Sequence, residues 1–131
     1  MRPAHCTALG KIILASLRPD QLERFLQRVE LKPSTEKSIT DIAVLLREIE
    51  EIRESGIAFD DGEFNLEVRC VAVPVRDFTG QVTGTLGISG PVWRLSIQAL
   101  QSRAKILQAA ADRLSAEFGA KAATAAKSLA R

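Results

Sequence analysis

A thiol and a hydroxyl interrupt an otherwise aliphatic hairpin: Cys70 and Ser89 lie in "RCVAVPVRDFTGQVTGTLGISGP", residues 69–91. Nucleophilic use of Cys70 needs a base within hydrogen-bond reach. His5 is the single histidine, so a histidine-based metal site has no second imidazole. Its neighbour Cys6 does not make a catalytic pair with it, because adjacent side chains diverge. Cys6 and Cys70 fit no metal-ligand spacing, and two cysteines are too few for a small disulfide scaffold. No covalent or metal chemistry is therefore legible in these residues, and no cofactor is implied.

Other chemistry-bearing stretches are weaker. "TALGKI", residues 7–12, holds Gly10 and Lys11 but lacks the upstream glycine and following Ser/Thr of a phosphate-binding loop. "GTLGISG", residues 84–90, has the wrong glycine spacing and reads as strand. "DDGEFNLE", residues 60–67, is acidic but does not place ligands at alternate positions as a calcium loop does. Asp60 and Asp61 follow the apolar Ile57 and Phe59, and the residues alone leave open which of them turns inward. The backbone amides around Thr7, Ala8 and Leu9 form a more plausible anion site, since a helix start offers unpaired donors and partial positive charge. Every helix has such an end, so that signal is unspecific.

These residues need a scaffold. Thr7 predicts a helix start, with Leu9, Ile12, Ile13 and Leu17 as the apolar face. Pro19 suits a first helical position and opens a second short helix with Leu22, Phe25 and Leu26 inward. After a polar loop over residues 32–38, Thr40 is the expected cap of a third helix. Its buried stripe is Ile42, Leu45, Leu46, Ile49 and Ile52, and Gly56 stops it. A short strand within "GIAFDDGEFNLEV" precedes the hairpin. In that hairpin Leu66, Val68, Cys70 and Ala72 alternate against Glu67, Arg69, Val71, Val73 and Val75. Asp77 to Gly80 supply the turn. Val82, Gly84, Leu86 and Ile88 then oppose a small polar set, Thr83, Thr85, Gly87 and Ser89. Ser96 caps a long helix with Leu100, Ala104, Leu107, Ala111, Leu114 and Phe118 along one side, ended by Gly119. Residues 119–131 read as an alanine-rich, frayed extension. The fold class is α+β, an antiparallel sheet with the helices on one face.

Composition bounds the function. The 131 residues suit one domain, 46% hydrophobic content suffices for a core, and a formal charge of +2 argues for neither nucleic acid nor anionic membrane. With 5% aromatics a base-stacking surface is not expected. Residues 34–67 are acidic and residues 92–131 basic, as two solvated helix faces would be. No apolar run reaches membrane-spanning length and no signal-peptide core opens the chain, so a cytoplasmic location is expected.

Three blocks, in order, carry a resemblance: "HCTALGKIILASL", "GIAFDDGEFNLEVRCVAVPVRDFTGQVTGTLGISGP" and the helix after them. They resemble the ligand-binding domain of IclR-type transcriptional regulators, from about residue 3 to residue 118. His5 to Lys11 is similar to that family's His-Ala-Thr-Ala-x-Gly-Lys start. Arg69 to Val75 is similar to its Arg-Cys-x-Ala-x-Pro-Val, and Ser89 to Pro91 to its Ser-x-Ser-Gly-Pro. The resemblance implies a GAF-like sensor domain that binds a small organic or aromatic acid, a dimer or tetramer, and no enzymatic activity. It carries ligand contact onto Ala8, Leu9, Asp60, Cys70 and Ser89. A carboxylate would take the helix-start amides and the Ser89 hydroxyl, and Asp60 would accept from a ligand hydroxyl. Gly87, also at the site, departs from the family's common serine, which implies a bulkier or less polar ligand than a two-carbon acid.

The resemblance covers residues 1–118 as only the latter two thirds of such a domain, without a winged helix-turn-helix. A fragment, or a product starting inside the domain, is therefore expected. Promoter DNA would be bound through the winged helix of the family and not by this chain. The unpaired sheet edge predicts pairing with another copy or another chain. The alternative is a truncated interaction module with no competent pocket.

Overall fold

The computed structural model describes residues 5–119. Its elements run α1 (Ala8–Ser16), α2 (Pro19–Arg28), α3 (Ile42–Ser55), β1 (Ala58–Asp61), β2 (Val68–Arg76), β3 (Val82–Pro91) and α4 (Ile97–Glu117). The strands form an antiparallel sheet in the order β1-β2-β3. This is the expected α+β class. The expected extension lies outside the described residues, except Gly119, whose φ of 86° ends α4.

The local signals work where the chemistry is local. Thr7 Oγ1 accepts from the Gly10 N–H at 3.1 Å and starts α1. Pro19 opens α2, Gly56 closes α3 at φ 71°, and Ser96 Oγ accepts from Ala99 N–H to start α4. The third cap falls one residue later than expected: Asp41, not Thr40, accepts from Ala43 N–H. A carboxylate there also faces the positive end of the helix.

The helices lie on both faces of the sheet, not on one. Val71, Val73 and Val75 pack against α4 through Leu100, Ala104 and Ala111. Ala72 and Ala58 pack on the opposite face against Ala8 and Ile12 of α1 and Ile52 of α3. That two-sided cover is why β2 is apolar at both its odd and even positions. A third cluster joins α1, α2 and α3 through Leu14, Leu22, Leu45 and Ile49.

Four further expectations need correction. On α1, Leu9 and Ile13 are half exposed, while Ala8, Lys11, Ile12 and Leu14 are buried. On α3, Ile42 and Leu46 are exposed, because that helix packs along the single stripe of Leu45, Ile49 and Ile52. In β3 the alternation breaks: Val75 pairs with Gly84 but Arg76 with Val82, so Thr83 is an extra residue and the ladder is bulged. Val82 therefore packs on the α1 face, and Leu86 and Ile88 on the α4 face. Phe118 is likewise exposed at the end of the α4 stripe.

Candidate functional site

Register builds the site. Asp60 pairs with Cys70, and Cys70 pairs with Ser89, so a carboxyl, a thiol and a hydroxyl stand in one row across three strands. The next row is Ala58, Ala72 and Gly87, all small. Both rows face α1. The small side chains leave depth, and the result is a cavity of about 660 Å³ between sheet and helix. This volume suits a small organic molecule. Ala8, Leu9, Asp60, Cys70, Gly87 and Ser89 all line it, together with Thr7, Ile13 and Thr85. The exposed position of Leu9 and Ile13 on α1 has its reason here, since both form the apolar wall.

The helix start is polarised toward the cavity. Thr7 takes two of the first-turn donors, Gly10 N–H through its hydroxyl and Lys11 N–H through its carbonyl. The N–H groups of Ala8 and Leu9 have no intrahelical acceptor, as at any helix start. A bound anion could take them.

Opposite stands Asp60, 4% exposed, whose Oδ1 accepts from Glu63 N–H at 2.8 Å. Burial pushes its carboxyl above the ordinary aspartate value, opposed by the hydrogen bond from Glu63 N–H and the positive charge of Lys11. Asp61, its neighbour, points the other way, accepting from Arg69 Nε at 2.6 Å. The structure thus resolves which of the two acids turns inward.

Lys11 was not singled out by sequence reasoning beyond its failed phosphate loop. Its side chain is fully buried, with Nζ 2.5 Å from Glu48, 2.7 Å from Glu63 and 2.8 Å from the Phe59 carbonyl. One ammonium thereby ties α1 to α3, to β1 and to the loop that positions Asp60. Burial pushes the Glu63 carboxyl up, against the pull of Lys11. The only local signal was a lysine within an apolar helical run. Its partners lie 37 and 52 residues away.

His5 is remote from this chemistry by its bonding: Nε2 donates to the Lys32 carbonyl at 2.9 Å. Cys6 is buried, its Sγ 3.8 Å from Ser34 Oγ, and burial raises its thiol pKa. Among the described residues no group of three or more His, Cys, Asp or Glu side chains could hold a metal ion. No described helix is long and apolar enough to cross a membrane.

Comparison with known proteins places these features. Residues 1–116 match the family of the bacterial transcriptional regulator IclR C-terminal domain. The HTH-type transcriptional regulator KdgR of Escherichia coli K12 is 40% identical over 117 residues, 89% of this chain and 44% of that protein. The chain thus spans less than half the length of this curated relative. The crystal structure of the KdgR C-terminal domain superposes with a TM-score of 0.80 at 40% identity, covering 89% of this chain and 71% of that one. The inducer-binding domain of PobR from Acinetobacter, a double mutant in complex with 3-hydroxybenzoic acid, superposes with a TM-score of 0.81 at 28% identity, covering 86% and 65%. The relatives are transcriptional regulators. By matched length, by identity and by fold, this chain belongs to the IclR C-terminal family of bacterial transcriptional regulators.

Proposed function

We propose that this chain is a non-catalytic effector-binding module, residues 1–118, for a small organic acid that also bears a hydroxyl, with aromatic hydroxy acids the best-fitting class. The observation that carries this reading is the row Asp60–Cys70–Ser89 facing the first turn of α1 across a cavity of about 660 Å³. The acid's carboxylate takes the N–H groups of Ala8 and Leu9 and the Ser89 hydroxyl, a charge-assisted set. Asp60 accepts from the hydroxyl with its carboxylate. Cys70 contributes shape and a weak donor. Leu9 and Ile13 cover an apolar ring. The acid bound by the double mutant of the PobR inducer-binding domain, 3-hydroxybenzoic acid, carries both functional groups on one ring.

In a full-length regulator, effector binding shifts an oligomer equilibrium that is coupled to promoter affinity through a winged helix. Couplings of this kind amount to about 1–3 kcal/mol. The setting is the cytoplasm, where such regulators meet DNA. The test is thermal unfolding of the purified chain with a panel of hydroxybenzoates, simple benzoates and two-carbon acids. At 100 times the dissociation constant, one bound ligand adds about 2.7 kcal/mol. A melting shift with hydroxy acids that disappears in Ser89→Ala and in Asp60→Ala supports the reading. No shift with any acid, in a folded protein, sinks it.

A further inference from the structure

The loop between α2 and α3 grips both sides of the large cavity without entering it. Among the described residues, none from 29 to 41 lines that cavity. One end of the loop meets the approach to α1: the Lys32 carbonyl accepts from His5 Nε2 at 2.9 Å, and Ser34 Oγ lies 3.8 Å from Cys6 Sγ. The other end meets the turn after β1. There Thr35 Oγ1 donates to the Gly62 carbonyl at 2.6 Å, and Ser38 Oγ donates to the Glu63 carbonyl. Both hydroxyls are themselves fixed. Ser38 Oγ accepts from the Ser34 and Thr35 N–H groups at 2.9 Å, and Thr35 Oγ1 accepts from Lys37 N–H at 3.1 Å.

Each clamped carbonyl shares a peptide group with an N–H aimed at Asp60. The Gly62 carbonyl and the Glu63 N–H form one planar unit, and that N–H donates to Asp60 Oδ1 at 2.8 Å. The Glu63 carbonyl and the Phe64 N–H form the next, and this N–H also donates to the Asp60 carboxyl. In a trans peptide the C=O and N–H point in opposite directions, so a hydroxyl that holds the oxygen sets where the hydrogen aims. Linked hydrogen bonds of this kind also polarise one another.

We propose that Thr35 and Ser38 are positioning residues for the cavity: through these two peptide groups they fix the Asp60 carboxylate against the start of α1, and thereby favour acids that carry a hydroxyl over acids that do not. The selection among acids rests on the function proposed above; the hold on Asp60 does not. Lys11 spans the same gap from inside, with Nζ bonded to the Phe59 carbonyl and the Glu63 carboxylate. Loss of one loop hydroxyl should therefore turn one peptide group without releasing the whole turn.

The experiment titrates 3-hydroxybenzoate and benzoate into Thr35→Val, Ser38→Ala and Thr35→Ser, the last of which keeps the hydroxyl. Thr35→Val and Ser38→Ala should each weaken 3-hydroxybenzoate roughly 3- to 30-fold, part of what a hydrogen bond to a charged group contributes, and leave benzoate within about 2-fold. Thr35→Ser should match the parent. General loosening of the fold would weaken both acids alike, so the ratio of the two affinities reads position and not stability.

A second readout needs no ligand. Burial pushes the Asp60 carboxyl up, opposed by the Glu63 N–H, the charge of Lys11 and the Phe64 N–H, while Asp61 pushes the same way as burial. Misaiming either N–H should move the carbon-13 titration of the Asp60 carboxyl to higher pH, in Thr35→Val and in Ser38→Ala but not in Thr35→Ser. An unchanged affinity ratio in both folded variants overturns the selection, and an unmoved Asp60 titration overturns the hold on which it depends. If the parent takes neither acid the effector reading fails, and the Asp60 titration alone decides whether the loop positions that carboxylate.

Discussion

Cys70 and Ser89 stand directly opposite each other on neighbouring strands, on the sheet face turned to the first turn of α1. A hydroxyl placed there can donate to an anion held by the helix-start amides, and loss of one hydrogen bond to a charged group costs about 1.5–3 kcal/mol. Ser89→Ala should weaken acid binding roughly 10- to 100-fold, by isothermal titration, with little change in stability because Ser89 is exposed within the cavity.

Lys11 is the electrostatic hub beside that cavity. Lys11→Met would leave Glu63 buried without its cation, and breaking a buried pair costs about 3–5 kcal/mol. Glu48 is partly solvated and adds less. The loss should appear in urea unfolding, and Lys11→Met combined with Glu63→Gln should recover part of it, since the unpaired Glu63 charge is then gone.

Burial raises the Asp60 carboxyl above its ordinary value, so the folded state holds that proton more tightly than the unfolded chain. The group's contribution is full below the unfolded value of about 4 and is lost as pH rises through the elevated folded one. Asp60→Asn keeps an oxygen to accept from Glu63 N–H but cannot ionise. Its stability relative to the parent should therefore improve from pH 4 toward pH 7 in urea unfolding. Removing the Asp60 charge also lessens the upward push on the Glu63 carboxyl, which adds to the same trend.

Gly87 sets the width of the cavity. A Cβ at this position would lie 3.1 Å from the Val71 carbonyl, so Gly87→Ser forces a small backbone shift and fills the floor. Overpacking of this kind costs about 1–3 kcal/mol. The melting shift with hydroxybenzoates should shrink more than that with two-carbon acids; an equal loss for both would show that Gly87 does not select by size.

The amino-acid order by itself determined the elements and most of their ends. Thr7, Ser96, Pro19 and Gly56 act within a turn of their own positions, so their types suffice to place α1, α4, α2 and the close of α3. The alternation around Cys70 and Ser89 likewise made a hairpin with a small polar face legible, and three ordered motifs made the family legible. Only the tertiary structure decided how faces meet. Leu9 and Ile13 carry helical periodicity like any core residue, yet they line a cavity, because what opposes a helix face depends on distant segments. The bulge at Thr83 turns Val82 to the other side of the sheet, a change of register that alternation alone does not reveal. Lys11 became a structural centre through carboxylates 37 and 52 residues away. Local conformational preference is written in neighbouring residues, whereas charge pairing and cavity walls are fixed by contacts that exist only once the chain has folded.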